Sequence, residues 1–164
     1  MKALVISLLI ALPSAANAEH PELRLVQRGT ESTLHDSDLL LKLIAVVESA
    51  SVESTAYAHP AEKWERGLSA PVYIHARFDP DRLMQVERVD QSGREVVGVT
   101  EVLIVLHENG WTDHIWLRTA NGYRSVTKYR PCVYTDLLLA LPLANRPTWV
   151  TDMRDGYCAR YPSG

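Results

Sequence analysis

Two Asn-Gly dipeptides, Asn109-Gly110 and Asn121-Gly122, punctuate a run from Arg94 to Tyr129 in which β-branched and aromatic residues dominate. Asn and Gly together supply the two positive-φ positions of a type I′ turn, whose twist matches that of paired strands. The run therefore predicts three neighbouring strands joined by tight hairpins, and it predicts their register. With Asn109 and Gly110 as loop residues, Glu101 lies opposite Arg118, Val102 opposite Leu117, Leu103 opposite Trp116, and Ile104 opposite Ile115. With Asn121 and Gly122 as the next loop, Leu117 meets Val126, Trp116 meets Thr127, and His114 meets Tyr129. Both turns put Val102, Ile104, Leu106, Ile115, Leu117 and Val126 on one face, and a one-residue slip would swap every side chain to the other. The Glu101–Arg118 pair supports this register by about 0.2–1 kcal/mol. Asp113 beside Leu106 and Lys128 beside Ile115 fit poorly and mark the level where the apolar face ends.

Upstream, Pro71 to Phe78 alternates, with Val72, Ile74, Ala76 and Phe78 on one side and Tyr73, His75 and Arg77 on the other. Asp79-Pro80-Asp81 reads as a turn, Leu83 to Val89 as the next strand, and Asp90 to Gly93 as the turn into the long strand from residue 95. Gly98 inside that strand is the expected bulge. The result is an antiparallel meander of about five strands in chain order. Glu22 to Arg28 reads as an edge strand stopped by Gly29.

A sheet of this kind needs one face covered. Asp36 as N-cap, followed at helical spacing by Leu39, Leu43, Val46 or Val47, and Ala50, and also by Leu40, Ile44 and Val47, predicts a long helix over 36–55. Tyr134 to Leu141, closed by Pro142, predicts a short second helix. The fold class is therefore α+β: a meander packed on one face by a long and a short helix. A two-turn helix at 61–66, opened by Pro60 and stopped by Gly67, would pack Trp64 against the sheet. Thr148–Met153 and Tyr157–Tyr161 read as two last short strands.

Met1 to Ala18 has the form of a secretory signal: Lys2, an apolar stretch from Ala3 to Leu12, and Ala16-Asn17-Ala18 as cleavage site. The stretch is shorter than the roughly 20 residues a bilayer demands. The expected organisation is a signal peptide at 1–18 and a single exported α+β domain at 19–164, in the periplasm or secreted, with no membrane span after cleavage. Export permits a disulfide, and the two cysteines, Cys132 and Cys158, allow one pairing, which would tie the C-terminal tail to the short helix.

The formal charge is −3 with both signs interspersed. No basic stripe points to nucleic acid. No CxxC or HExxH spacing points to a metal, no Gly-rich loop to a phosphate cofactor, and no GxSxG elbow to a nucleophile, so no cofactor is expected.

The sheet face opposite the apolar one collects the candidate binding residues His107, His114, Trp116, Arg118 and Tyr129. Aromatic and Arg side chains are where binding energy concentrates. An envelope protein or a glycan is the expected partner. The alternative is a cell-envelope hydrolase. Leu40 to Ser49 resembles the helix that presents the catalytic Glu-Ser pair of lytic transglycosylases. That resemblance covers about ten residues and would make Glu48 the general acid. The family's Gly-Leu-Met-Gln segment is missing, and the chain is far richer in strands than that largely helical fold.

Overall fold

The computed structural model describes residues 21–49, 51–53, 60–79, 84–90, 93–106 and 112–161. The signal-like segment, His107 and the Asn109-Gly110 turn lie outside them. Strands β6 (Gly93–Leu106) and β7 (Thr112–Thr119) pair as the first turn predicts, with Glu101 opposite Arg118 and Ile104 opposite Ile115. A shift past Val105 then pairs Leu106 with Thr112 rather than with the poorly fitting Asp113.

The second hairpin differs by two residues. β8 (Gly122–Lys128) meets β7 with Thr119 opposite Gly122, Leu117 opposite Arg124 and Ile115 opposite Val126. Ala120 and Asn121 form the loop, and only Gly122 takes the left-handed conformation, at φ 103°. The Thr119 hydroxyl donates to the Gly122 carbonyl (2.9 Å) and accepts from the Asn121 N–H (3.2 Å), stabilising this alternative to the type I′ turn. Because the slip is two residues, Val126 keeps its predicted face. A type I′-like turn does occur elsewhere. Arg28 (φ 50°) and Gly29 (φ 81°) join β1 (Glu22–Gln27) to β2 (Thr30–Leu34). β1 is therefore an interior strand, and β2 forms the edge.

Among the described residues, eight antiparallel strands make one sheet, ordered β2-β1-β4-β6-β7-β8-β3, with β5 also on β6. β4 (Val72–Arg77) and β5 (Met84–Asp90) do not pair in meander order. They occupy successive stretches of one edge of β6: β5 along Gly93–Val99 and β4 along Glu101–Val105. A 14-residue strand has room for both. The bulge falls at Thr100, between these stretches, rather than at Gly98. An extra residue there reverses the alternation, so Val99 and Val102 both face the same core. It also sends Glu101 to the opposite face.

One face carries the main core. Helix α1 (Ser37–Glu48) begins where expected, the Asp36 carboxylate accepting from the N–H groups of Asp38 (2.8 Å) and Leu39 (3.3 Å). Its Leu39, Leu43, Val46 and Val47 pack with Tyr134, Leu137, Leu138 and Leu141 around α3 (Pro131–Ala140), against Ile74, Val102, Ile104, Ile115, Leu117 and Val126. The predicted helix end at 51–55 is instead strand β3 (Ser51–Glu53), paired with β8. Backbone groups on the outer edge of β8 demand partners, and β3 supplies them. β3 and β5 approach to Cα separations within 8 Å, so the sheet curls around this core.

The second face is covered too. Helix α2 (Pro60–Leu68) runs through Gly67 and lays Trp64 and Gly67 on Leu103, Val105 and Trp116.

Cys132 and Cys158 are joined by a disulfide. The tail is helical rather than extended: α4 (Thr148–Asp152) continues into a wider π-helical turn, Met153–Cys158. Pro147 ends the extended connector, and the bridge holds this segment against α3. Its packing surface is therefore a helix, which explains the failure of the strand reading. No described helix is long and apolar enough to cross a membrane.

Candidate functional site

Registers across five strands line up on the α2 side of the sheet. One row runs Glu22, Arg77, Glu101, Arg118, Tyr123, alternating in charge before ending on a phenol. The next runs Arg24, His75, Leu103, Trp116, Ser125, and a third runs Val26, Tyr73, Val105, His114. α2 covers the apolar middle of these rows. Of the charged row, Tyr123 meets the helix through Trp64, and the ion-pairing members Arg77, Glu101 and Arg118 gather at its margin.

Three members of the rows form a hydrogen-bonded network, buried at His75 and Glu101. Glu101 accepts from Arg118 through Oε1 (2.6 Å) and lies 2.7 Å from His75 Nε2 through Oε2. His75 and Glu101 are both buried, while the Arg118 side chain is half in water. Arg77 approaches the same carboxylate at 4.0 Å. The Trp64 ring meets the His75 ring edge-on at 5.9 Å and tilts against Tyr123 at 5.2 Å, and the Arg118 guanidinium stands over Tyr123.

Burial holds the His75 imidazole below its ordinary pKa, outweighing the opposing pull of Glu101. Burial pushes the Glu101 carboxyl up, but the hydrogen bonds and positive charge from His75 and Arg118 together bring it below its ordinary value. The resting state is a neutral His75 beside an ionised Glu101. A carboxylate only accepts, so the His75 proton sits on Nε2, and Nδ1 is left as the basic nitrogen. This arrangement fixes the ring and closes its Nε2 edge to any ligand.

A cavity of about 450 Å³ opens beside α2, at the other end of the covered area. Its apolar surface comes from Gly67, Ala70, Val105 and Trp116. Lys63, Arg66, Ser69 and His114 supply the polar part. The His114 ring meets Trp116 at 5.7 Å with planes at 66°. Helix α2 places Lys63 and Arg66 one turn apart, flanking the Trp64–Gly67 contact with the sheet.

The predicted binding residues are only partly brought together. His114 and Trp116 share the cavity, with His114 exposed and Trp116 only 2% exposed at its base. Arg118, next along the same face of β7, is engaged by Glu101. Tyr129 was expected opposite His114 but lies on the other side of the sheet, against Tyr134 at 4.9 Å and the main core. The two-residue shift of β8 removes the His114–Tyr129 pairing, and Tyr129 follows the end of that strand. His107 lies outside the described residues. Glu48 stands exposed at the end of α1, without the apolar enclosure that a general-acid role asks for. Among the described residues no group of three His, Cys, Asp or Glu is placed to hold a metal ion.

Lys63, Arg66, Trp64 and His75 were missed as site residues. The Trp64–Gly67–Leu68 stripe was a legible sign that α2 has one buried face. Nothing local assigns that face to the β6–β7 centre. Comparison with protein-family models, with curated proteins and with solved structures finds no match.

Proposed function

We propose that the chain is an exported, non-catalytic protein that binds a partner protein or another cell-envelope component, and that it does so at the cavity between α2 and β7. One observation carries this reading. An aromatic, apolar floor built on Val105, Ala70 and Trp116 is combined with Lys63, Arg66 and His114 in one concavity. Pockets that bind are mostly apolar with a few placed polar groups, and about 450 Å³ lies within their usual size. Export to the periplasm or beyond is supported by the Met1–Ala18 pattern and by the Cys132–Cys158 bridge, which suits an oxidising compartment.

Isotope-labelled protein titrated with fractionated envelope extract tests this. A binding fraction should move the Gly67 and Ala70 amide resonances and the Trp116 indole resonance, and a Lys63→Met/Arg66→Met variant should respond less. Shifts confined to the β2 edge or the C-terminal helices, with none at the cavity, would overturn the assignment.

A further inference from the structure

Val150 is the last residue of the tail to enter the main core. Beyond it no described side chain is buried, although the chain runs on through the π-helical turn Met153–Cys158 to Tyr161. The bonds of this stretch are internal. The Tyr161 N–H donates to the Tyr157 carbonyl (2.9 Å), and Arg154 pairs with Asp155 (2.8 Å). The Tyr157 and Tyr161 rings lie 5.2 Å apart and both stay exposed. A segment with so few buried contacts sits at the low-stability end of a fold. Its covalent tie to α3 is the Cys132–Cys158 disulfide.

The two sulfurs of that bridge are not equivalent. Cys132 is only 6% exposed, and the Tyr161 carbonyl oxygen stands 3.8 Å from its Sγ. Cys158 is half-buried, between the exposed Tyr157 and Ala159. Access therefore favours attack at Cys158. Cys132 lies in the first turn of α3, directly after Pro131, and Arg130 gives that turn no side-chain cap. The free N–H groups and the dipole of the helix favour negative charge there. A thiol so placed is the better leaving group, because a lower pKa speeds departure.

We infer that the disulfide is a thiol-exchange site as well as a tether: a low-molecular-weight thiolate attacks Cys158, and the tail beyond Val150 comes free while the rest of the fold stays in place. The new S–S bond forms on Cys158 Sγ as the Cys132–Cys158 bond breaks, and the electron pair leaves on Cys132 Sγ. A second thiolate attacks the donor sulfur of this mixed disulfide and releases Cys158 as a thiolate. The two cysteines gain two electrons in all, and two donor thiols become one disulfide. The inference is independent of the cavity.

Disulfide-intact protein exposed briefly to reduced glutathione, quenched with N-ethylmaleimide and digested without reduction tests the chemistry by mass spectrometry. Glutathione on Cys158 with maleimide on Cys132 should exceed the reverse arrangement by about tenfold, since access and leaving group act together. In urea-unfolded protein, where both differences vanish, the two arrangements should be nearly equal. The exchange rate should stay flat with urea below the unfolding transition, because the sulfur is reached without opening the core. In the fully reduced protein, amide resonances of residues 153–161 should move to unfolded positions, while those of Ile104 and the Trp116 indole stay where they are.

Glutathione mainly on Cys132, or shared equally in the native protein, would overturn the choice of attacked sulfur. A rate that climbs with urea across the folded range would mean that exchange needs unfolding, and the site would fall. Loss of the Ile104 and Trp116 resonances on reduction would show the bridge holding the whole fold rather than its tail, and would overturn the release.

Discussion

Replacing Glu101 by Ala removes an acceptor shared by His75 and Arg118, and the two halves of that loss are unequal. The Arg118 contact is the shorter, 2.6 Å against 2.7 Å. Distance alone would rank it first. Environment reverses the order. The Arg118 side chain is 49% exposed, so water replaces the lost carboxylate; the His75 side chain is 10% exposed, so it does not. An ion pair with a half-exposed partner is worth about 0–1 kcal/mol. A buried hydrogen bond to a charged group is worth about 1.5–3 kcal/mol, and the orphaned imidazole N–H adds a desolvation penalty within the same range. Glu101→Ala should therefore destabilise by about 3 kcal/mol, and Arg118→Ala by about 1 kcal/mol or less.

Double-mutant cycles in urea near pH 7 should give a coupling of about 1.5–3 kcal/mol for Glu101 with His75 and below about 1 kcal/mol for Glu101 with Arg118. The cycle cancels the His75–Trp64 ring contact and the cavity left by Ala. Equal couplings, or a larger one for Arg118, would refute the premise that solvent access rather than distance sets the order.

The protonation states follow the same logic. His75 sits below its ordinary 6.5 and Glu101 below its ordinary 4.5, so in each case the unfolded chain binds protons more readily. Each contribution is present above the ordinary value and is lost as pH falls through the depressed one. Stability should thus decline on acidification, first from His75 and then from Glu101. The charged groups facing His75 are Glu101, which favours its imidazolium, and Arg77 and Arg24, which oppose it. In Glu101→Ala the only favouring charge among these is gone, so the His75 value read by NMR titration should fall further. A rise would mean that Glu101 does not stabilise the imidazolium.

Three other perturbations test the packing. Gly67→Ala should destabilise by about 1 kcal/mol in thermal melts, because overpacking Leu103 and Val105 costs about 1–3 kcal/mol and outweighs the helix propensity gained. An unchanged or raised melting temperature would mean α2 can lift off the sheet freely. Ser125→Ala should be neutral or stabilise by up to about 1 kcal/mol, since its buried hydroxyl has no hydrogen-bond partner among the described residues. A clear loss would reveal a partner for that hydroxyl. Reducing the Cys132–Cys158 bridge, 26 residues apart in sequence, should lower stability by about 3.5 kcal/mol in the loop-entropy picture. Hydrogen exchange should rise first in α4 and the turn that follows it, and uniform loosening would contradict the role of the bridge as an anchor for the tail.

The main sheet face was legible because its evidence was redundant. Period-two alternation assigned Ile104, Ile115, Leu117 and Val126 to one side, and the observed two-residue slip in the second hairpin could not disturb that assignment. The turn type was not legible, because Asn-Gly offers more than one low-strain geometry and the Thr119 hydroxyl stabilised another. The tail was misread because its alternation was too short to outweigh a tether to α3. The buried network was half legible. Glu101 opposite Arg118 follows from a local hairpin, whereas His75 joins only because β4 pairs with β6. That pairing is a long-range choice, and no turn residue encodes it.

A stronger clue lay in the run Val102-Leu-Ile-Val-Leu106. A strand that is apolar at every position, not at alternate ones, belongs in a sheet covered on both sides. Leu103 and Val105 therefore required a second layer, and the Trp64–Gly67–Leu68 stripe of α2 was a candidate with the right shape. Where such a layer is a helix of nine residues, its cover must run out within a strand's length. At one limit the first charged side chain, Glu101, is buried and must find partners. At the other, the gap between helix and sheet opens beside His114 and Trp116, where Lys63 and Arg66 line it. The network and the cavity are thus two margins of one short helix, and a substitution that shifts α2 along the sheet, such as Gly67→Ala, should perturb His75 and the cavity together.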